Sequence, residues 1–101
     1  MNFENFDINE VSGFEWDEGN KEKNKRKHNL DKWQIEEVFF NEPFLIYEDT
    51  KHSNYENRCY AFGKTDNELK LMVVFTVRNS LIRIISAGKM NKKERAYYEN
   101  F

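Results

Sequence analysis

Three arginines and a threonine stand at spacings that can do phosphate chemistry. Asn79-Ser80 separates two apolar, β-prone runs, 69–78 and 81–87, as a two-residue hairpin loop would. With that loop Arg78 faces Leu81, Thr76 faces Arg83 and Val74 faces Ile85. Side chains alternate with a period of two, so Thr76, Arg78 and Arg83 project from one face. If a further loop spans 64–68, Gly63 faces Leu69 and Arg58 falls opposite Val74, on the same face one strand over. Two readings of this cluster are open. Each arginine can pair with a nearby acid (Glu48, Asp49, Glu56) or lie at a solvated rim. Alternatively, the cluster cradles a phosphate, for which the planar guanidinium fork is suited.

Other groups extend the chemistry. The run 21–27 holds five bases against one acid, Glu22, and ends on Lys27-His28, which can contact phosphate or move a proton. Lys21 and Lys25 from this run, with Lys92 and Lys93 near the C-terminus and Thr76 on the sheet, are further candidates for contact with a polyanion. Tyr98, on the apolar side of a final helix, either packs or offers its hydroxyl to a substrate. Tyr60, Phe62 and Phe75 read first as core and only second as a base-stacking platform. Cys59 points away from Arg58 and is expected to be a small buried residue. No paired acids suit Mg²⁺, and one cysteine and 2 histidines leave no metal site, so no metal and no cofactor are expected.

The elements that position these groups follow from patterning. The chain has 101 residues, is 39% hydrophobic and carries 16 aromatics (9 Phe, 5 Tyr, 2 Trp), enough for one small core. An acidic extension over 1–12 and a domain over 13–101 are expected. Residues 1–18 hold six acids and no Lys or Arg, so the remainder carries 16 bases against 12 acids, a net +4 that the overall −2 conceals. A basic body admits a polyanionic partner. No apolar run approaches the ~20 residues of a membrane-spanning helix, so no membrane partner and a cytoplasmic location are expected.

A first strand is expected at 14–16, followed by a polar helix capped by Asp17. A second helix over 32–40, capped by Asp31, presents Ile35, Val38 and Phe39 on one side and stops at Pro43. Strands then follow at 44–48, 58–63, 69–78 and 81–87, and a helix begins near Asn91, with Tyr97, Tyr98 and Phe101 able to share one face. The expected class is α+β: an antiparallel meander with two N-terminal helices and one C-terminal helix, all on one side of the sheet.

Phe14-Glu15-Trp16-Asp17, Asn24, Lys27-His28, Glu37-Val38-Phe39, Glu56-x-Arg58, Gly63, Thr76-x-Arg78, the run from Ile82 to Ala87, Lys93-Glu94-Arg95 and Tyr98-Glu99 occur in this order. With these motifs the chain resembles the BrnT family of type II toxin–antitoxin toxins over 14–99. The resemblance implies a RelE-like ribonuclease fold that cleaves RNA without a metal and inhibits translation. It also implies a BrnA-type antitoxin with a ribbon-helix-helix domain, joined in a heterotetramer that reaches operator DNA only through the antitoxin. Carried over position by position, the implied catalytic set is Arg58, Arg78, Arg83, Lys27, His28 and Tyr98, with RNA-binding contacts expected at Lys21, Lys25, Thr76, Lys92 and Lys93. Two positions depart from the pattern. Asn20 stands where many relatives have Lys. Gly88 follows Ser86-Ala87 where the family reads Ile-Ser-Ala-Arg. By simple alternation position 88 points away from Arg83, and loss of that arginine implies attenuated activity or a decayed binding module.

Overall fold

The computed structural model describes residues 7–17, 29–52 and 57–101. The expected polar first helix lies outside the described residues, as do Lys21, Lys25, Lys27 and His28. A five-stranded sheet organises the chain. Its strands are β1 (Gly13–Glu15), β2 (Leu45–Glu48), β3 (Arg58–Lys64), β4 (Lys70–Arg78) and β5 (Leu81–Lys89), in the order β1-β5-β4-β3-β2.

The long strands form where β-branched and aromatic residues concentrate, and the turns form where they stop. Asn79 and Ser80 both take positive φ (55° and 64°), the type I′ geometry that matches the twist of a hairpin. The Thr65 N–H donates to the Leu69 carbonyl at 2.9 Å, and the Thr65 hydroxyl accepts from the Leu69 N–H at 3.1 Å, closing the β3–β4 turn.

Helix α1 (Lys32–Glu37) continues as a 3₁₀ turn over Val38–Phe40. The Asp31 N–H donates to Gln34 Oε1 at 2.9 Å, which satisfies one donor at the helix start. Ile35, Val38 and Phe39 face inward as the spacing predicts. With Leu30 they bury against Cys59, Ala61, Leu71, Val73, Phe75, Ile82 and Ile84. Phe39 is the aromatic hub, with ring centroids 5.3 Å from Phe14, 5.1 Å from Phe44 and 5.0 Å from Phe75. Gly63 lets this layer close: a Cβ there would meet Val38 Cβ at 3.0 Å and the Val38 carbonyl oxygen at 3.1 Å. Ile8 and Val11 also pack on the core, ahead of the boundary expected at residue 13.

Three features correct the expected architecture. The sheet is mixed rather than a RelE-like antiparallel meander, because β1 pairs parallel with β5 (Gly13↔Leu81, Glu15↔Arg83). After β1 the chain crosses the α1 face to reach the opposite edge at β2, so β1 and β2 never meet. The helices occupy both faces, not one. Helix α2 (Lys92–Tyr98) lies on the face opposite α1, where Tyr98 and Met90 bury with Phe62 against Leu45, Tyr47, Tyr60 and Met72. The helix count is two among the described residues. Helix α2 starts where expected, with Asn91 as its cap, but Tyr97 and Phe101 stay at the rim, packed on each other at 5.1 Å, while Tyr98 turns inward.

Candidate active site

The sheet face away from α1 carries the arginines. Across it runs one cross-strand row: Glu15 on β1, Arg83 on β5, Thr76 on β4 and Arg58 on β3. Arg78 stands two residues along β4 from Thr76, on the same face. The expected pairings Arg78↔Leu81 and Thr76↔Arg83 are observed. Arg58 pairs with Thr76 rather than Val74, and Gly63 pairs with Leu71 rather than Leu69. This two-residue slip preserves side-chain parity, so Arg58 keeps its expected face and comes into line with Arg83. At the usual strand spacing, Arg58 and Arg83 are separated by two interstrand gaps, about 10 Å between Cα atoms. A phosphate placed over Thr76 would sit between them, with Arg78 at one end.

Local contacts stiffen the row. The Thr76 hydroxyl is buried and donates to the Asn57 carbonyl at 2.7 Å, so it anchors the entry to β3 beside Arg58. The Arg58 carbonyl accepts from the Asp49 N–H at 2.8 Å, and the guanidinium stem is sunk far enough that its Nε is buried. Glu15 Oε2 lies 3.9 Å from Arg78 Nη2, a loose, half-exposed ion pair. Glu15 was not among the expected site residues. Its signal was the alternation of Phe14 and Glu15: with Phe14 packed on the core, Glu15 must take the other face. What the pattern lacked was the place of β1 beside β5.

Beyond the row, the register breaks. Val74 pairs with Ser86 but Phe75 with Ile84, so Ile85 is an extra residue on β5. The bulge corrects the expected pairing of Val74 with Ile85. It also reverses parity for the rest of the strand, so Gly88 pairs with Met72 and belongs to the arginine face, not the opposite one.

The remaining expected residues are spread out. Tyr98 is buried and its hydroxyl donates to the Pro43 carbonyl. Burial, and then the charge of Glu68, push its pKa up. It lies with the Phe62 cluster, not in the arginine row. Lys92 and Lys93 are exposed on the first turn of α2. Cys59 is fully buried on the core side as expected, its thiol pushed up to about 12 by desolvation and then by Glu48 and Asp49. No group of three or more His, Cys, Asp or Glu among the described residues could hold a metal ion.

Residues 16–94 match the family model described as "Ribonuclease toxin, BrnT, of type II toxin-antitoxin system". The chain belongs to the BrnT family. Its fold is also that of a solved BrnT: the crystal structure of the Brucella abortus ribonuclease toxin BrnT aligns with a TM-score of 0.60 and 20% sequence identity, over 79% of this chain and 97% of that one. No curated protein sequence matches the chain. BrnT proteins are ribonuclease toxins of type II toxin–antitoxin systems, which implies an antitoxin partner. Among the described residues no helix is long and apolar enough to cross a membrane.

Proposed function

We propose that this chain is an endoribonuclease toxin that cleaves RNA without a metal and so inhibits translation. The observation that supports it most is the single row Glu15–Arg83–Thr76–Arg58, flanked by Arg78, in a chain of a ribonuclease toxin family. In the reaction, the 2′-hydroxyl of one nucleotide attacks the adjacent phosphorus in line. The O2′–P bond forms and the P–O5′ bond breaks, leaving a 2′,3′-cyclic phosphate and a 5′-hydroxyl. Arg58, Arg78 and Arg83 hold the phosphate and stabilise the negative charge that builds on its oxygens. Glu15, a carboxylate in the same cross-strand row, takes the 2′-hydroxyl proton. Lys27 or His28 gives a proton to the departing 5′-oxygen. Tyr98 serves α2 docking rather than proton transfer. Lys21, Lys25, Lys92 and Lys93 guide the RNA backbone.

The partner on this reading is a BrnA-type ribbon-helix-helix antitoxin, in a heterotetramer that contacts operator DNA through the antitoxin. The antitoxin covers the basic face, so its binding weakens with salt. Gly88 favours a second reading, in which the chain is attenuated or retains only antitoxin or RNA binding and acts as co-repressor. An arginine at 88 would rise from the active face over Met72. The test is cleavage of a defined RNA in EDTA by the chain and by Gly88→Arg. Cleavage by both supports the ribonuclease. Cleavage by Gly88→Arg alone identifies an attenuated toxin. Absence of cleavage by both, with or without ribosomes, overturns the enzymatic reading.

A further inference from the structure

The arginine face has a second half with a different character. One rung along from Arg58–Thr76, Tyr60 pairs with Val74 and Tyr47 with Tyr60. The next rung sets Phe62 beside Met72. Helix α2 stands over this half, held by Tyr98 on Pro43, by Lys70 Nζ to Glu99 at 3.0 Å and by Arg95 to the Met90 carbonyl at 2.8 Å. Between α2 and the sheet lies a cleft in two lobes of about 300 and 400 Å³, which share Tyr60, Phe62 and Glu94. We propose that this cleft is a nucleobase subsite that receives a guanine flanking the scissile phosphate. The proposal rests on the ribonuclease reading above and names its specificity element.

Three observations carry it. The first is position. Tyr60 and Val74 lie two residues along their strands from Arg58 and Thr76, about 6.8 Å by strand rise, roughly the reach of one nucleotide. A phosphate held by the arginines therefore brings a neighbouring base to the cleft. The second is surface. Tyr60, half-buried and stacked on Tyr47 (centroids 5.4 Å, planes 29° apart), lines both lobes and continues an aromatic wall through Phe62 to Tyr97. Aromatic walls beside a cationic track are how single-stranded RNA is gripped.

The third is charge. One lobe is lined by Lys93 and Glu94 and the other by Asp49 and Glu94, whereas the adjoining row is rich in arginine. Glu94 is the one charged side chain common to both lobes, and its carboxylate suits the N–H edge of a base rather than a phosphate. Glu94 is held in place: its Oε1 accepts from the Asn91 N–H at 2.8 Å, and its own N–H donates to Asn91 Oδ1 at 2.8 Å. A carboxylate has about four acceptor positions, so that bond leaves capacity for two more donors. Guanine alone among the four bases presents two adjacent donors, N1–H and the N2 amino group, that match a carboxylate.

The test is cleavage of a randomised RNA pool by the chain, Glu94→Gln, Tyr60→Leu and Arg83→Ala. Glu94→Gln keeps the cap, because Gln at that position still accepts from the Asn91 N–H. The expected result is preferential cleavage beside guanine. Glu94→Gln should lower the ratio of guanine-flanked to other cleavages tenfold or more, while Arg83→Ala should lower all sites together. An unchanged ratio in Glu94→Gln would overturn the proposal. Titration with guanosine and cytidine 3′-monophosphates, followed by NMR shifts of cleft residues, reads the subsite without turnover. Guanosine should bind at least tenfold more tightly, and Tyr60→Leu should abolish the difference. Guanosine binding in a chain that cleaves no RNA would overturn the ribonuclease reading and leave the subsite standing. Cleavage with no base discrimination in either assay would do the reverse.

Discussion

Replacing Glu15 by Gln separates stability from catalysis sharply. Glu15 meets Arg78 at 3.9 Å with side chains 44% and 41% exposed. Such a pair contributes about 0–1 kcal/mol, and this one, at the limit of contact, belongs near the bottom of that range. The Tm should therefore move by less than about 4 °C. The catalytic expectation is far larger. A positioned general base contributes about 10²–10⁴-fold, so the single-turnover rate on a defined RNA should fall at least 100-fold. Gln preserves size and polarity and cannot accept the proton. Glu10→Gln, an exposed acid outside the sheet, is the control. The assay pairs a thermal melt with gel-resolved cleavage under enzyme excess. A folded Glu15→Gln protein that cleaves within threefold of its parent would refute the assignment and return proton abstraction to Lys27 or His28.

Three further outcomes follow from the geometry. Gly63→Ala should destabilise by about 1–3 kcal/mol, because the new methyl meets the rigid Val38 Cβ and carbonyl at 3.0 and 3.1 Å; a melt lowered by less than about 2 °C would contradict this. Tyr98→Phe removes the hydroxyl donated to Pro43 and should cost about 1 kcal/mol while leaving the cleavage rate per folded molecule unchanged; a rate loss beyond tenfold would restore Tyr98 to the chemistry. Stability should fall as pH rises above about 9. The Cys59 thiol is pushed up to about 12 in the fold, so the unfolded chain releases that proton first and gains from alkali, and Tyr98 shifts in the same direction. A melting temperature that stays flat from pH 8.5 to 11 would count against it.

Much of the site was legible because parity survives errors of two. Asn79-Ser80 defined the β4–β5 hairpin, and the misplaced β3–β4 loop shifted Arg58 by two residues without moving it off its face. Errors of one are different. Nothing in the pair Ile84-Ile85 marks Ile85 as a bulge, because either isoleucine can be buried there. That single extra residue carried Gly88 to the arginine face. The place of β1 was hidden for another reason: a three-residue strand has too few residues for its pattern to choose an edge or a direction, and so Glu15 went unnoticed. The side taken by α2 was hidden because Tyr60, Phe62 and Met72 make both faces of the sheet apolar at one end. Patterning shows that a face is apolar, but not which helix covers it.

The central claim is that the arginine row cleaves RNA by transesterification. The most direct test incubates a defined RNA with the chain and with Arg83→Ala, both in EDTA, and identifies the new ends. The account predicts 2′,3′-cyclic phosphate and 5′-hydroxyl ends from the parent, with a loss of about 10²–10³-fold in Arg83→Ala, by analogy with losing one oxyanion-hole donor. Ends bearing a 5′-phosphate, or equal cleavage by the folded Arg83→Ala protein, would contradict it.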